Sequence, residues 1–208
     1  MPDFFPFPLL IGVVMLAILL AILWRRKRSP SHLFCFSVFW AYLLLVLRET
    51  LFPIPFLGGM DGMRTMQQAT FVLSHVNFLP FKYFAFHNKY VVFREIALNI
   101  LLTLPLGFGV SFIARLKSRG FLWLAFAAGL VIEIAQLVIS LGIGGVYRTV
   151  DITDVILNAA GVLLGYGLFR IFARLYLAVT RRLGIEQHGL LACVHDVASN
   201  AGSWHSLN

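Results

Sequence analysis

The sequence predicts an all-α fold, a polytopic membrane bundle of about five transmembrane helices, and three observations lead there. Of its 208 residues, 60% are hydrophobic and only 12% are charged, with a mean hydropathy of +0.86. A soluble domain carries about twice that charged fraction. The apolar residues gather into runs close to the ~20 residues that a helical crossing of a bilayer requires. Basic residues fall in short clusters between those runs, the pattern of a chain oriented by its loops.

In order, the predicted spans are residues 8–24, 33–52, 96–114, 121–141 and 152–174. The first lacks a basic leader and ends at Arg25-Arg26-Lys27-Arg28 rather than at a small-residue cleavage site, so it is expected to stay as a span. Those basic residues place the first loop in the cytoplasm, which puts the N-terminus outside and the C-terminus inside after five crossings. Arg115, Lys117 and Arg119, and then Arg170, Arg174, Arg181 and Arg182, fall on the same inner side. Arg48, Arg64, Lys82, Lys89, Arg94 and Arg148 are scattered over the outer side. The net charge of +8 is therefore a topology signal, and no nucleic-acid partner is expected.

Two regions do not span. The outer segment, residues 53–93, is too long for an ordinary connection and is rich in Phe71, Val72, Phe78, Leu79, Phe81, Phe84 and Phe86. It is expected to lie on, or dip into, the outer membrane surface, and Pro80 opposes a regular helix there. The domain organisation is then a membrane bundle over 1–183 and a cytoplasmic tail over 184–208, polar and expected to be poorly ordered. Cys35 and Cys193 form no disulfide framework, and Cys193 with His188 and His195 is too sparse a set for a metal.

Polar side chains inside the spans are the candidate site. An acid at mid-bilayer costs at least ~2.5–3.5 kcal/mol, so such residues tend to be buried in the bundle and functional. In span five, Asp151, Asp154, Asn158, Gly161 and Gly165 recur at helical spacing along one stripe. Gly129, Glu133, Gln136 and Ser140 do the same in span four, and Glu95, Asn99 and Thr103 in span three. At ~1.5 Å per residue, these polar groups lie roughly 5–12 Å below the outer ends of their spans. Lipid rejects each stripe, so the stripes are expected to face one another. Pro105, with Gly107 and Gly109, predicts a kink or a broken helix in span three.

The residues 147–161, from Tyr147-Arg148 through Asp151, Asp154 and Asn158 to Gly161, resemble the signature of VanZ-like membrane proteins. Ile132-Glu133 with Gln136, Asn99-Ile100 with Pro105-Leu106-Gly107, and Asn77-Phe78-Leu79-Pro80-Phe81 are similar to further motifs of that family, as is Glu49-Thr50-Leu51-Phe52-Pro53. The resemblance covers about residues 42–166. A departure is Gly129, where the family often has serine. The resemblance implies a multi-pass protein of the bacterial inner membrane. It also implies a cell-envelope context, since the founding member is associated with low-level resistance to teicoplanin, a lipid-bearing glycopeptide antibiotic. It implies no particular reaction.

Three readings of the polar cluster stand side by side. One is a hydrogen-bond and ion-pair network that holds helices in register, with Arg148 on Asp151 or Asp154 and Arg94 on Glu95 or Glu133. The second is a site for an outer-leaflet amphiphile or lipid head group, with Arg48, Asn77, Arg94, Asn99, Glu133, Gln136, Arg148, Asp151, Asp154 and Asn158 as ligand-binding candidates. Its guanidinium groups would suit phosphate or carboxylate. The third is a membrane enzyme acting on a lipid-linked envelope substrate. There Glu133, Asp151 and Asp154 are the catalytic candidates, and Mg²⁺ or Ca²⁺ is a conceivable cofactor on these hard oxygen ligands. No Ser-His-Asp or Cys-His set accompanies them, and no other cofactor is expected.

Overall fold

A computed structural model of the chain describes residues 6–52, 54, 66–82 and 87–203. Its helices are α1 (Pro6–Arg25), α2 (Pro30–Leu51), α3 (Met66–Ser74), α4 (Lys89–Gly109), α5 (Ser118–Ile143), α6 (Ile152–Leu183) and α7 (Gly189–Ser203), with a 3-10 turn at Val110–Phe112 after α4. Five of them, α1, α2, α4, α5 and α6, are long and apolar enough to cross a membrane. Arg64, Phe84 and Phe86 of the outer segment lie outside the described residues.

Side chains are distributed inside out relative to a water-soluble protein. Leu10, Ile18, Trp123, Phe126, Val131 and Val138 are exposed, while Thr103, Glu133, Gln136, Ser140 and Asn158 are buried. An apolar surface of this extent suits hydrocarbon and would drive association in water. α6 is the central helix and packs against α4, α5 and α7. Its contact with α4 is very close because the facing residues are small. A Cβ at Gly165 would strike the Leu104 carbonyl, one at Gly107 the Val162 carbonyl, and one at Gly161 the Thr103 hydroxyl. Backbone approach of this kind is the usual means of holding membrane helices together, since burial against lipid contributes no hydrophobic drive.

The helices differ from the expected spans mainly in length. α4 starts at Lys89, where the Asn88 side chain accepts the Tyr90 N–H (2.9 Å) and so caps the helix early. It is not broken at Pro105, running on to Gly109 before tightening into the 3-10 turn. The Tyr42 hydroxyl of α2 donates to the Leu102 carbonyl (2.6 Å), close to the carbonyl that Pro105 deprives of its partner. α6 has 32 residues and passes Arg174 to stop at Gly184, which takes the left-handed conformation with φ 60°. At ~1.5 Å per residue it is about 48 Å long and outreaches the ~30 Å hydrocarbon core.

The region expected to be a poorly ordered tail contains a helix instead. α7 lays Val197 and Ala198 against Phe169 and Ala173 of α6, in a cluster completed by Phe108, Phe112, Phe172 and Tyr176. The free thiols of Cys35 and Cys193 come together where α7 meets α2. In the outer segment, α3 buries Val72 and leaves Phe71 and Leu73 exposed, and the chain from Val76 through Pro80 is not helical. α3 rests on the turn after α5, where Gly144 has φ 76° and a Cβ would crowd Gln68.

Candidate functional site

The buried residues of α5 are Phe121, Ala125, Gly129, Glu133, Gln136 and Ser140, which all lie on one stripe. Glu133 and Gln136 are thereby turned inward. Gly129 is tightly packed: a Cβ there would stand 2.6 Å from the Val155 carbonyl of α6. Across the bundle, Asp151 caps the N-terminus of α6. Its Oδ1 accepts the Thr153 N–H (2.7 Å), and its Oδ2 accepts from Asn77 Nδ2 (2.8 Å). Its own N–H donates to Glu133 Oε2 (3.0 Å).

Asn77 is bound into this junction twice over. Its N–H donates to the Val150 carbonyl (2.9 Å), and its carbonyl accepts the Ile152 N–H (3.0 Å), an isolated parallel bridge beside Asp151. The following loop is fixed by the Leu79 N–H on Asn77 Oδ1 (3.2 Å) and the Phe81 N–H on Thr153 Oγ1 (2.9 Å). From α4, Asn99 Nδ2 donates to Asp154 Oδ1 (2.6 Å), and the Thr103 hydroxyl donates to the Asn158 carbonyl (2.7 Å). Gln136 Nε2 reaches the Thr50 carbonyl of α2 (3.1 Å), and the Arg148 guanidinium reaches the Glu49 carbonyl (3.0 Å).

These groups surround a cavity of about 860 Å³ bounded by α2, α4, α5 and the start of α6. Asn99, Glu133, Gln136, Arg148, Asp151, Asp154 and Asn158 line it, and Asn77 stands behind Asp151. Arg48 and Arg94 do not line it, although both were expected at a site here. Helical phase accounts for this: at ~100° per residue, Arg94 is about 140° round the helix from Asn99, and Arg48 is about 160° from Thr50. The expected ion pairs do not form either. Among the described residues no ion pair links Arg148 to Asp151 or Asp154, or Arg94 to Glu95 or Glu133. Amides and backbone N–H groups hold the carboxylates instead.

The wall also contains residues not selected as candidates, namely Glu49, Glu95, Thr149 and Thr153, with His87 at the edge. Glu95 shares the Asn99 stripe and so was within reach of periodicity, whereas Glu49 and His87 are brought in only by the fold. Among the described residues the cavity therefore gathers the acids Glu49, Glu95, Glu133, Asp151 and Asp154 around one guanidinium, that of Arg148, with His87 besides. It is rich in acceptors. Asn158 Oδ1 is buried without a hydrogen-bond partner, and Glu133 Oε1 and Asp154 Oδ2 have none among the described residues. No group of three or more His, Cys, Asp or Glu among the described residues is placed to hold a metal ion.

Thr103→Val is expected to destabilise the protein by about 1 kcal/mol, the range of a single interhelical hydrogen bond in a membrane. The thermal midpoint in detergent would measure it, and an unchanged midpoint would mean that the Thr103–Asn158 bond contributes nothing net.

A bundle of five apolar helices enclosing an acidic, amide-lined cavity defines a multi-pass membrane protein with an intramembrane polar site. The chain belongs to the VanZ/LLP1 family, whose model matches residues 39–173 and thus all the helices that wall the cavity. Comparison with curated proteins and with solved structures found no match.

Proposed function

We propose that the protein holds the polar head of an outer-leaflet amphiphile in the cavity between α2, α4, α5 and α6. The supporting observation is the imbalance of its wall, where among the described residues five carboxylates meet one guanidinium and Asn158 Oδ1 is buried with no donor. Buried polar groups are ordinarily satisfied, so an unmatched acceptor on an acidic wall calls for a ligand that donates. A head group bearing amine or hydroxyl donors fits this wall better than a phosphate or carboxylate. The apolar wall of Leu98, Leu101 and Ile132 suits the neighbouring hydrocarbon. The exposed Phe71, Phe78, Leu79 and Phe81 provide an interfacial platform beside the site.

In this reading the protein sits in the bacterial inner membrane with the cavity toward the outer side, since the basic clusters occupy the opposite end of the bundle. A site for an amphiphile is compatible with the association of the family's founding member with teicoplanin, a lipid-bearing glycopeptide antibiotic.

The test is lipid extraction and mass spectrometry of the purified protein, comparing wild type with Glu133→Gln and Asp154→Asn. Wild type is expected to retain a specific amphiphile. Each variant should keep about tenfold less, the effect of losing one charge-assisted hydrogen bond, while remaining folded. Equal retention in all three proteins would sink the proposal. Conversion of the retained amphiphile into a product would favour the enzyme reading with Glu133, Asp151 and Asp154.

A further inference from the structure

A second cavity, of about 630 Å³, lies at the opposite end of the bundle, between the α1–α2 turn, the α4–α5 connection and α7. Its chemistry is the reverse of the first. Among the described residues, Lys27, Arg28 and Arg115 line it with one carboxylate, that of Asp196, and His32 and Ser111 are also on the wall. Asp196 is engaged with Arg115 (3.2 Å), which leaves Lys27 and Arg28 without a carboxylate of their own among the described residues. The Ser111 hydroxyl is buried with no hydrogen-bond partner. Ser29, the N-cap of α2, also lines the space.

Lys27 is the informative residue. α1 ends with the Arg28 N–H on the Leu23 carbonyl (3.2 Å) and the Lys27 N–H on the Trp24 carbonyl (2.9 Å). That pair of bonds is the Schellman motif, whose left-handed position normally belongs to glycine. Here lysine occupies it at φ 55°. Left-handed backbone is unfavourable for a residue with a Cβ, and such outliers concentrate at functional sites. Loop orientation alone does not account for it, because Arg25, Arg26 and Arg28 already supply basic charge without that backbone cost.

We infer that this cavity is an anion site for a phosphate group, independent of the acidic cavity and at the other end of the bundle. Guanidinium, ammonium and hydroxyl groups together are a donor set that phosphate takes. The phosphate comes either from an anionic phospholipid head group or from a soluble phosphate compound.

Calorimetric titration of the full chain in phosphatidylcholine nanodiscs with inorganic phosphate tests the soluble source. Native mass spectrometry of phosphatidylglycerol retained against phosphatidylcholine tests the lipid source. Wild type is expected to bind in at least one arm, and the arm that responds identifies the source. Arg28→Gln should weaken that binding about tenfold. Lys27→Gly should weaken it similarly while leaving thermal stability equal or higher, because glycine relieves the backbone. A merely structural Lys27 would show unchanged binding in that variant. Such a result, or no binding in either arm, would overturn the inference.

Discussion

Replacing Gly165 with leucine is expected to cost about 3 kcal/mol or more and to strip the protein of a stable fold in detergent. The obstacle is backbone. A Cβ at Gly165 would collide with the Leu104 carbonyl and lie 3.0 Å from the Phe108 amide nitrogen, and neither group has a side-chain rotamer through which to withdraw. α4 would have to move away from α6, taking Asn99 from Asp154 and Thr103 from Asn158. The control is Gly167→Ala on the same helix, where nothing lies within 4 Å of the new methyl group. There the midpoint should hold or rise slightly, since alanine is the better helix former by up to ~1 kcal/mol. Thermal unfolding of both variants by circular dichroism decides the matter, and equal midpoints would disprove backbone contact as the basis of the α4–α6 packing.

The second large effect is expected at Asp151. Alanine there removes the cap on Thr153, worth ~1 kcal/mol, and the hydrogen bond from Asn77, for a total loss of about 2–3 kcal/mol. Serine retains capping ability but does not reach Asn77, so Asp151→Ser should fall between wild type and Asp151→Ala. The loop tethered by Asn77 and Thr153 should open in the alanine variant, giving faster proteolytic cleavage near Leu79 than in wild type. Equal stability of the serine and alanine variants would show that the cap contributes nothing, and a serine variant as stable as wild type would show that capping alone accounts for Asp151. Unchanged cleavage would show that the Asn77 bond does not hold the loop.

Much of this was legible in the sequence, for a definite reason. Lipid penalises polar groups, so a polar or small stripe on an apolar helix can only face the bundle. Gly129, Glu133, Gln136 and Ser140 follow that rule residue by residue, as do Asn158, Gly161 and Gly165. The rule weakens at helix ends, where long side chains reach the interface from any face. Arg48 and Arg94 are such residues, and they stand off the cavity wall despite their proximity in the chain. It does not apply to α7, a 15-residue helix too short to span, whose contact with Phe169 and Ala173 is made by Val197 and Ala198.

By composition and spacing alone, then, the chain determined that it would be a bundle of apolar helices and which face of each would turn inward. Only the tertiary structure decided which acid meets which donor: Asp154 with Asn99, Asp151 with Asn77 74 positions away, Glu133 with a backbone N–H rather than a cation. Periodicity encodes direction around one helix axis. Partnership depends on distances between segments remote in the chain, and those follow from how closely Gly107, Gly161 and Gly165 let α4 and α6 approach.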